Sequence, residues 1–296
     1  VAGIGQHSKI HILLPGILSV VALLTAGCQT AEEVKGSMGE VERAWRYGQH
    51  RLPRGALKDG QFYALEEIRE YPDAWPSAVA ETKLRPGSRL PAVIYLHGCA
   101  GNTAGESWAR TFSRLGYAFF APNSLARPRK SLCGTGRTRM ITERIPMRTE
   151  EALYALQQLR KADWIDQRRI VLMGSSEGAQ AASVYRGTEF AAIVLSATDC
   201  RFSGGSPKAP PGVSVLNMVG ENDRQGGASG CPHFRRKEPG SMRVVIKGAG
   251  HKLAAFPEAQ AELKRFLEEC CANSDSPIVY SGSRPRFVAK GAPTSK

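Results

Sequence analysis

No uncharged apolar run in this 296-residue sequence reaches the roughly 20 residues that a helix needs to cross a bilayer. Zinc-ligand spacings are missing as well: Cys99, Cys133, Cys200 and Cys231 stand far apart and Cys270 and Cys271 are adjacent, so no metal is expected. Aromatic residues make up only 7%, and no aromatic-rich basic motif of the RNA-binding type occurs, which argues against nucleic acid as a partner. Acid is scarce: 27 Asp and Glu against 40 Lys and Arg leave a net charge of +13. Such a balance suits nucleic acid, an anionic membrane or cell-wall surface, or acidic substrates. No internal repeat is apparent. What remains, with 42% hydrophobic residues, is a globular core.

The longest apolar stretch, "ILLPGILSVVALLTAG", ends directly before Cys28 and has the length of a signal-peptide hydrophobic region. The small residues Thr25, Ala26 and Gly27 before Cys28 resemble the lipobox of bacterial lipoproteins, with Thr25 where leucine is usual and Leu24 one place further out. That resemblance implies lipidation of Cys28, export to the periplasm or cell envelope, and a membrane attachment through the lipid or the signal segment. Four regions follow: a signal peptide and lipobox over 1–28, a linker and N-terminal extension over 29–74, a main domain over 75–271 and a disordered basic tail over 272–296.

Within the main domain, apolar runs alternate with helical spacing. "LPAVIYL", "YAFFAPN", "RRIVLMG", "FAAIVLSA", "VSVLNMVG" and "MRVVIKG" read as strands, and "GESWARTFSRLG", "TEEALYALQQLRKA", "EGAQAASVYRG" and "FPEAQAELKRFLEECC" as helices. Parallel neighbours need crossover connections, so this alternation predicts an α/β fold with a mainly parallel, doubly wound sheet. Between Ser124 and Arg148 lies a long arginine-rich stretch that reads as a loop, with Arg127 and Arg137 as candidates to receive an anionic substrate group.

The pattern Gly174-Ser175-Ser176-Glu177-Gly178 is G-x-S-x-G centred on Ser176. Chance would supply such a match about 0.2 times in a chain of this composition. Its position between a predicted strand and a predicted helix is the stronger signal, because a sharp turn there excludes side chains at both flanks. Asp223 follows the strand "VSVLNMVG" and His251 follows "MRVVIKG", each past a strand end where open α/β sheets place their sites. His97-Gly98-Cys99 ends the first long strand.

On these motifs, residues 75 to 271 resemble the α/β-hydrolase superfamily and, within it, dienelactone hydrolase-like proteins. The resemblance implies an α/β-hydrolase sheet and a catalytic triad of Ser176 as nucleophile, His251 as base and then acid, and Asp223 as its orienting carboxylate. It further implies an oxyanion hole made by the backbone N–H groups of Cys99 and Glu177. Dienelactone hydrolase uses a cysteine nucleophile; serine at 176 favours a general carboxylesterase acting on a small-molecule ester, with no cofactor.

Each residue has a plainer reading. Ser176 could cap a helix, His251 could be a surface histidine, and Glu221 and Asp199 compete with Asp223. His97 reads as a structural residue shaping its loop, and Glu177 as either a solvent-facing carboxylate or a group tuning the pocket. In an oxidising compartment Cys200 is expected to pair with Cys231 and Cys99 with Cys133; no pairing is assigned to the adjacent Cys270 and Cys271, since a bridge between neighbours would be strained. Two further functional readings remain: a catalytically idle α/β-hydrolase domain that binds anionic lipid or cell-wall polymer, and a prolyl oligopeptidase-type peptidase, for whose propeller the chain has no room.

Overall fold

The computed structural model describes residues 31–53, 84–128, 133–134, 136–225 and 227–271, residues 31–38 by backbone alone. Cys28, the apolar stretch before it, most of the expected linker and the whole expected basic tail lie outside the described residues. The chain divides into two units, one of residues 1–38 with 283–296 and one of residues 39–282. In the first, the structure describes only the beginning of helix α1 (Ala31–Arg46).

Among the described residues, the second unit contains a seven-stranded sheet. Its strands are β1 (Gln49–Arg51), β2 (Leu90–Leu96), β3 (Ala118–Ala121), β4 (Ile165–Ser175), β5 (Ala192–Ser196), β6 (Ser214–Gly220) and β7 (Met242–Ile246), in the spatial order β1-β3-β2-β4-β5-β6-β7. β1 pairs antiparallel with β3, and every other pair is parallel. From β2 the chain moves outward to β3 on one side and then crosses to β4 on the other. The crevice at the carboxyl ends of β2 and β4 is therefore a topological switch point, the place where open α/β sheets leave room for a ligand.

The helices follow from their apolar spacing. In α2 (Gly105–Arg114), Gly105, Trp108, Ala109 and Phe112 are buried at i, i+3, i+4 and i+7. The same interval recurs in α3 (Ile145–Leu159) at Ala152, Ala155, Leu156 and Leu159. After them come α4 (Glu177–Val184) and α5 (Pro257–Cys271). Alternation in β2 sends Ala92, Ile94 and Leu96 to a core shared with α3 and α4, and Val93 and Tyr95 to a core shared with α2 and α5. The sheet is thus covered on both faces, as its parallel strands require.

Two segments depart from the sequence reading. The stretch expected as linker and N-terminal extension carries α1, whose Val41, Ala44 and Trp45 are buried at i, i+3 and i+4, and then β1, so the sheet begins well before the expected boundary at residue 75. The arginine-rich stretch expected as loop is helical from Arg137 onward: a short helix Arg137–Arg139 and a π-helical turn Met140–Arg144 run without a break into α3. Arg144 and Arg148 are buried there beside Met140 and Met147, so charge in the sequence masked an inward-facing side of the helix.

Among the described residues two histidines are interior. His50 donates from Nε2 to the carbonyl oxygen of Trp45 at 2.9 Å, and burial lowers its pKa to about 4. For His97, burial and then the charge of Arg148 lower the pKa to about 3. Both are below the ordinary value near 6.5, so their contribution to stability is complete above that pH and is lost as the pH falls towards about 4 and 3, at about 1.4 kcal/mol per pH unit for each group. Urea unfolding is expected to show stability falling between pH 6 and pH 5, and His50→Gln should reduce that slope by about 1.4 kcal/mol per unit; an unchanged slope would refute the assignment.

Candidate active site

Of the two adjacent serines, Ser175 completes β4 and Ser176 alone occupies the turn before α4, at φ 53° and ψ −114°. This is a left-handed backbone that a serine adopts only under compulsion. The compulsion is visible on either side. A side-chain carbon on Gly174 would stand 2.3 Å from the carbonyl oxygen of Gly178, and one on Gly178 would stand 2.0 Å from the carbonyl oxygen of Leu96. Strand and helix are pressed together here at backbone distance, which only glycine permits. The turn is held by the Ser176 N–H donating to the Ser196 carbonyl at 2.9 Å, while the Ser176 carbonyl accepts from the Gln180 N–H at 3.0 Å.

Asp223 stands just beyond β6, its side chain fully buried, and each carboxylate oxygen lies 3.0 Å from His251 Nδ1. The Gln225 N–H also donates to Oδ1, at 2.9 Å. With Nδ1 donating to the carboxylate, Nε2 is the ring nitrogen left with a lone pair. The two competing acids are engaged elsewhere. Glu221 accepts from the Gly248 N–H at 2.8 Å, and Asp199 holds Arg201 and Gln180. Ser176 and His251 line one cavity of about 230 Å³, whose walls include Tyr95, Ala104, Trp108 and Leu253. A second recess of about 180 Å³ shares Ser176 and adds Glu177, Gln180, Arg201 and Phe202.

Cys99 lines both recesses, and a side-chain carbon on its neighbour Gly98 would be 3.4 Å from Ser176 Cβ. The sulfur of Cys99 is 2.03 Å from that of Cys133, with Cα atoms 5.1 Å apart. Cys200 and Cys231 are joined likewise, with Cα atoms 4.9 Å apart. The sulfur atoms of Cys270 and Cys271 are 2.36 Å apart, a proximity that the sequence reading had not assigned.

Beneath the turn lies a charged cluster that sequence reasoning missed. Arg148, with no exposed surface, donates from Nε and Nη2 to Glu177 Oε1 at 3.2 and 3.0 Å and from Nη2 to the Gly98 carbonyl at 3.3 Å. Its Nη1 donates to Ser124 Oγ, which in turn donates to Glu151 at 2.5 Å. His97 Nε2 accepts from the Ser124 N–H at 3.0 Å, which places the ring proton on Nδ1, 2.6 Å from the Gly98 carbonyl. A neutral, fully engaged ring of this kind is structural. Glu177 therefore does not face solvent as a first-turn carboxylate. Arg127, expected to meet a substrate, is buried between Glu40, Glu150 and Glu151. The guanidinium of Arg137 lies 5.6 Å over the Phe202 ring. The only sequence signal for the cluster is the Arg148 and Glu151 pair at i, i+3 on a helical interval.

Because Ser176 is strained, Ser176→Gly is expected to raise the unfolding free energy by about 1 kcal/mol, the relief of a strained backbone exceeding the entropy cost of glycine. Ser176→Ala should not, and thermal unfolding of both variants checks the difference.

No protein-family model matches the chain, and no curated protein matches it. Among solved structures it is similar to a proposed dienelactone hydrolase from Klebsiella pneumoniae, at 14% identity and TM-score 0.47, covering 64% of this chain and 90% of that one. Est1E from Butyrivibrio proteoclasticus is similar at 13% identity and TM-score 0.45, covering 64% and 91%, and an alpha-beta serine hydrolase homologue from Coxiella burnetii at 18% and 0.44, covering 62% and 87%. The fold is carried by the chain's own topology: an antiparallel first strand, six parallel strands that cross over at β2, and a glycine-flanked serine turn from β4 into α4 make it an α/β-hydrolase fold.

Proposed function

We propose that this protein is a serine hydrolase that cleaves a small-molecule ester through Ser176, His251 and Asp223. One observation carries the reading: a serine in a strained, glycine-flanked turn opens into the same cavity as a histidine whose other ring nitrogen is bound to a buried carboxylate. A serine hydroxyl is a weak nucleophile at neutral pH. His251 Nε2 would take its proton as Oγ bonds to the ester carbon, Asp223 would stabilise the imidazolium that results, and the N–H groups of Cys99 and Glu177 would receive the charge developing on the carbonyl oxygen. Return of the proton from His251 to the departing alkoxide leaves an acyl-enzyme. A water then repeats the sequence and releases the acid.

The larger recess favours a compact apolar group on the ester, since about 230 Å³ walled by Tyr95, Trp108 and Leu253 is below the usual range for drug-sized ligands. The wild-type protein is expected to be labelled by a fluorophosphonate and to hydrolyse p-nitrophenyl acetate or butyrate faster than the dodecanoate. Ser176→Ala should abolish labelling and lower kcat by at least about 10⁴-fold. Labelling that persists in this variant would remove Ser176 from its role.

The same reading has the enzyme exported and tethered by lipid at Cys28, as supported by the apolar stretch before that residue and by cysteines that stand in pairs. Cells fed an alkyne-tagged palmitate should incorporate the tag into the protein, and Cys28→Ser should prevent it. Incorporation that is unchanged in the variant would exclude this anchor.

A further inference from the structure

We infer that Arg148 is a positioning residue of the oxyanion hole: one buried guanidinium aims the Cys99 N–H through the Gly98 carbonyl and ties that peptide to the side chain of Glu177, whose own N–H is the second assigned donor. The inference rests on the serine-hydrolase reading above and adds a residue that the reading does not need. A peptide unit is planar and trans, so the carbonyl of Gly98 and the N–H of Cys99 lie in one plane and point in opposite directions. Whatever holds the oxygen aims the N–H. That oxygen accepts three bonds, from Arg148 Nη2 at 3.3 Å, from His97 Nδ1 at 2.6 Å and from the Gly101 N–H at 3.1 Å.

The same Nη2 donates to Glu177 Oε1 at 3.0 Å, and Nε donates to that oxygen at 3.2 Å. Glu177 opens α4, and its N–H is the second proposed donor. Two residues that lie far apart in the chain are therefore referred to one rigid, planar group. The far side of the guanidinium is fixed in turn through Ser124 Oγ and Glu151. Having no exposed surface, Arg148 does not touch a substrate and acts only through the Gly98–Cys99 peptide and the Glu177 side chain.

Lysine keeps the charge at this position but, as one ammonium in place of a planar fork, cannot hold Glu177 and the Gly98 carbonyl on one side and Ser124 Oγ on the other at the same time. The test measures kcat and KM for a p-nitrophenyl ester in wild type, Arg148→Lys and Glu177→Gln, with active sites counted by fluorophosphonate titration so that misfolded protein is left out. Removal of one oxyanion donor typically lowers kcat by about 10² to 10³. Misdirecting the donors should lower kcat per titrated site by about 10- to 100-fold in Arg148→Lys and by less in Glu177→Gln, with KM within about threefold of wild type. The affinity of a boronate that mimics the tetrahedral intermediate should fall in step with kcat, which loss of stability alone would not produce. Wild-type kcat per titrated site in Arg148→Lys, or a change confined to KM, would overturn the proposal. Where Arg148→Lys does not fold, Glu177→Gln decides it by the same criterion. A wild-type protein that neither labels nor turns over would overturn the hydrolase reading itself, and this inference with it.

Discussion

The candidate site depends on one close approach of backbone to backbone. The first turn of α4 is pressed against the end of β2 until Gly178 faces the Leu96 carbonyl at a separation that leaves no space for a side-chain carbon. A chain that leaves β4 and must enter a helix so close to the neighbouring strand has few routes, and the one taken forces Ser176 into a positive φ. That strain is local, of order 1 to 3 kcal/mol, and is offset by a sheet buried on both faces. Its consequence is chemical, because it puts the serine at the mouth of the crevice rather than in the core.

Around that contact the fold has to bury charge. Arg148, Glu151 and Glu177 lie almost wholly out of solvent, and moving such ions from water costs several kcal/mol each unless partners replace the lost hydration. Here they do. The guanidinium meets a carboxylate, a peptide oxygen and a hydroxyl, and the hydroxyl meets a second carboxylate. Breaking one member would strand another, so the cluster constrains geometry more than it adds stability. The Cys99 and Cys133 pair adds a covalent constraint on the same loop, joining the end of β2 to the segment that precedes the helical stretch before α3.

Much of the fold was legible because parallel strands buried on both faces leave continuous apolar runs. β2, β3, β5 and β6 read plainly for that reason, while β7 showed itself in spite of an exposed face. β1 did not. Its Gln49-His50-Arg51 has no apolar pattern, and only its pairing with β3 makes it a strand. The helical turns before α3 were hidden in a similar way, since in an arginine-rich stretch that usually marks a solvated loop Arg144 is here turned inward.

The sequence by itself determined the order of strands and helices from β2 to α5, the glycines on either side of Ser176 and the positions of Asp223 and His251 beyond strand ends, since all of these are local patterns of size, polarity and backbone freedom. Only the tertiary structure decided which of three acids faces His251, that Glu177 turns inward to Arg148, and that Arg127 is occupied by glutamates. The physical reason is distance along the chain. Asp223 and His251 are 28 residues apart and Arg148 and Glu177 are 29, so each partnership is set by which strands are neighbours, and no local pattern encodes that.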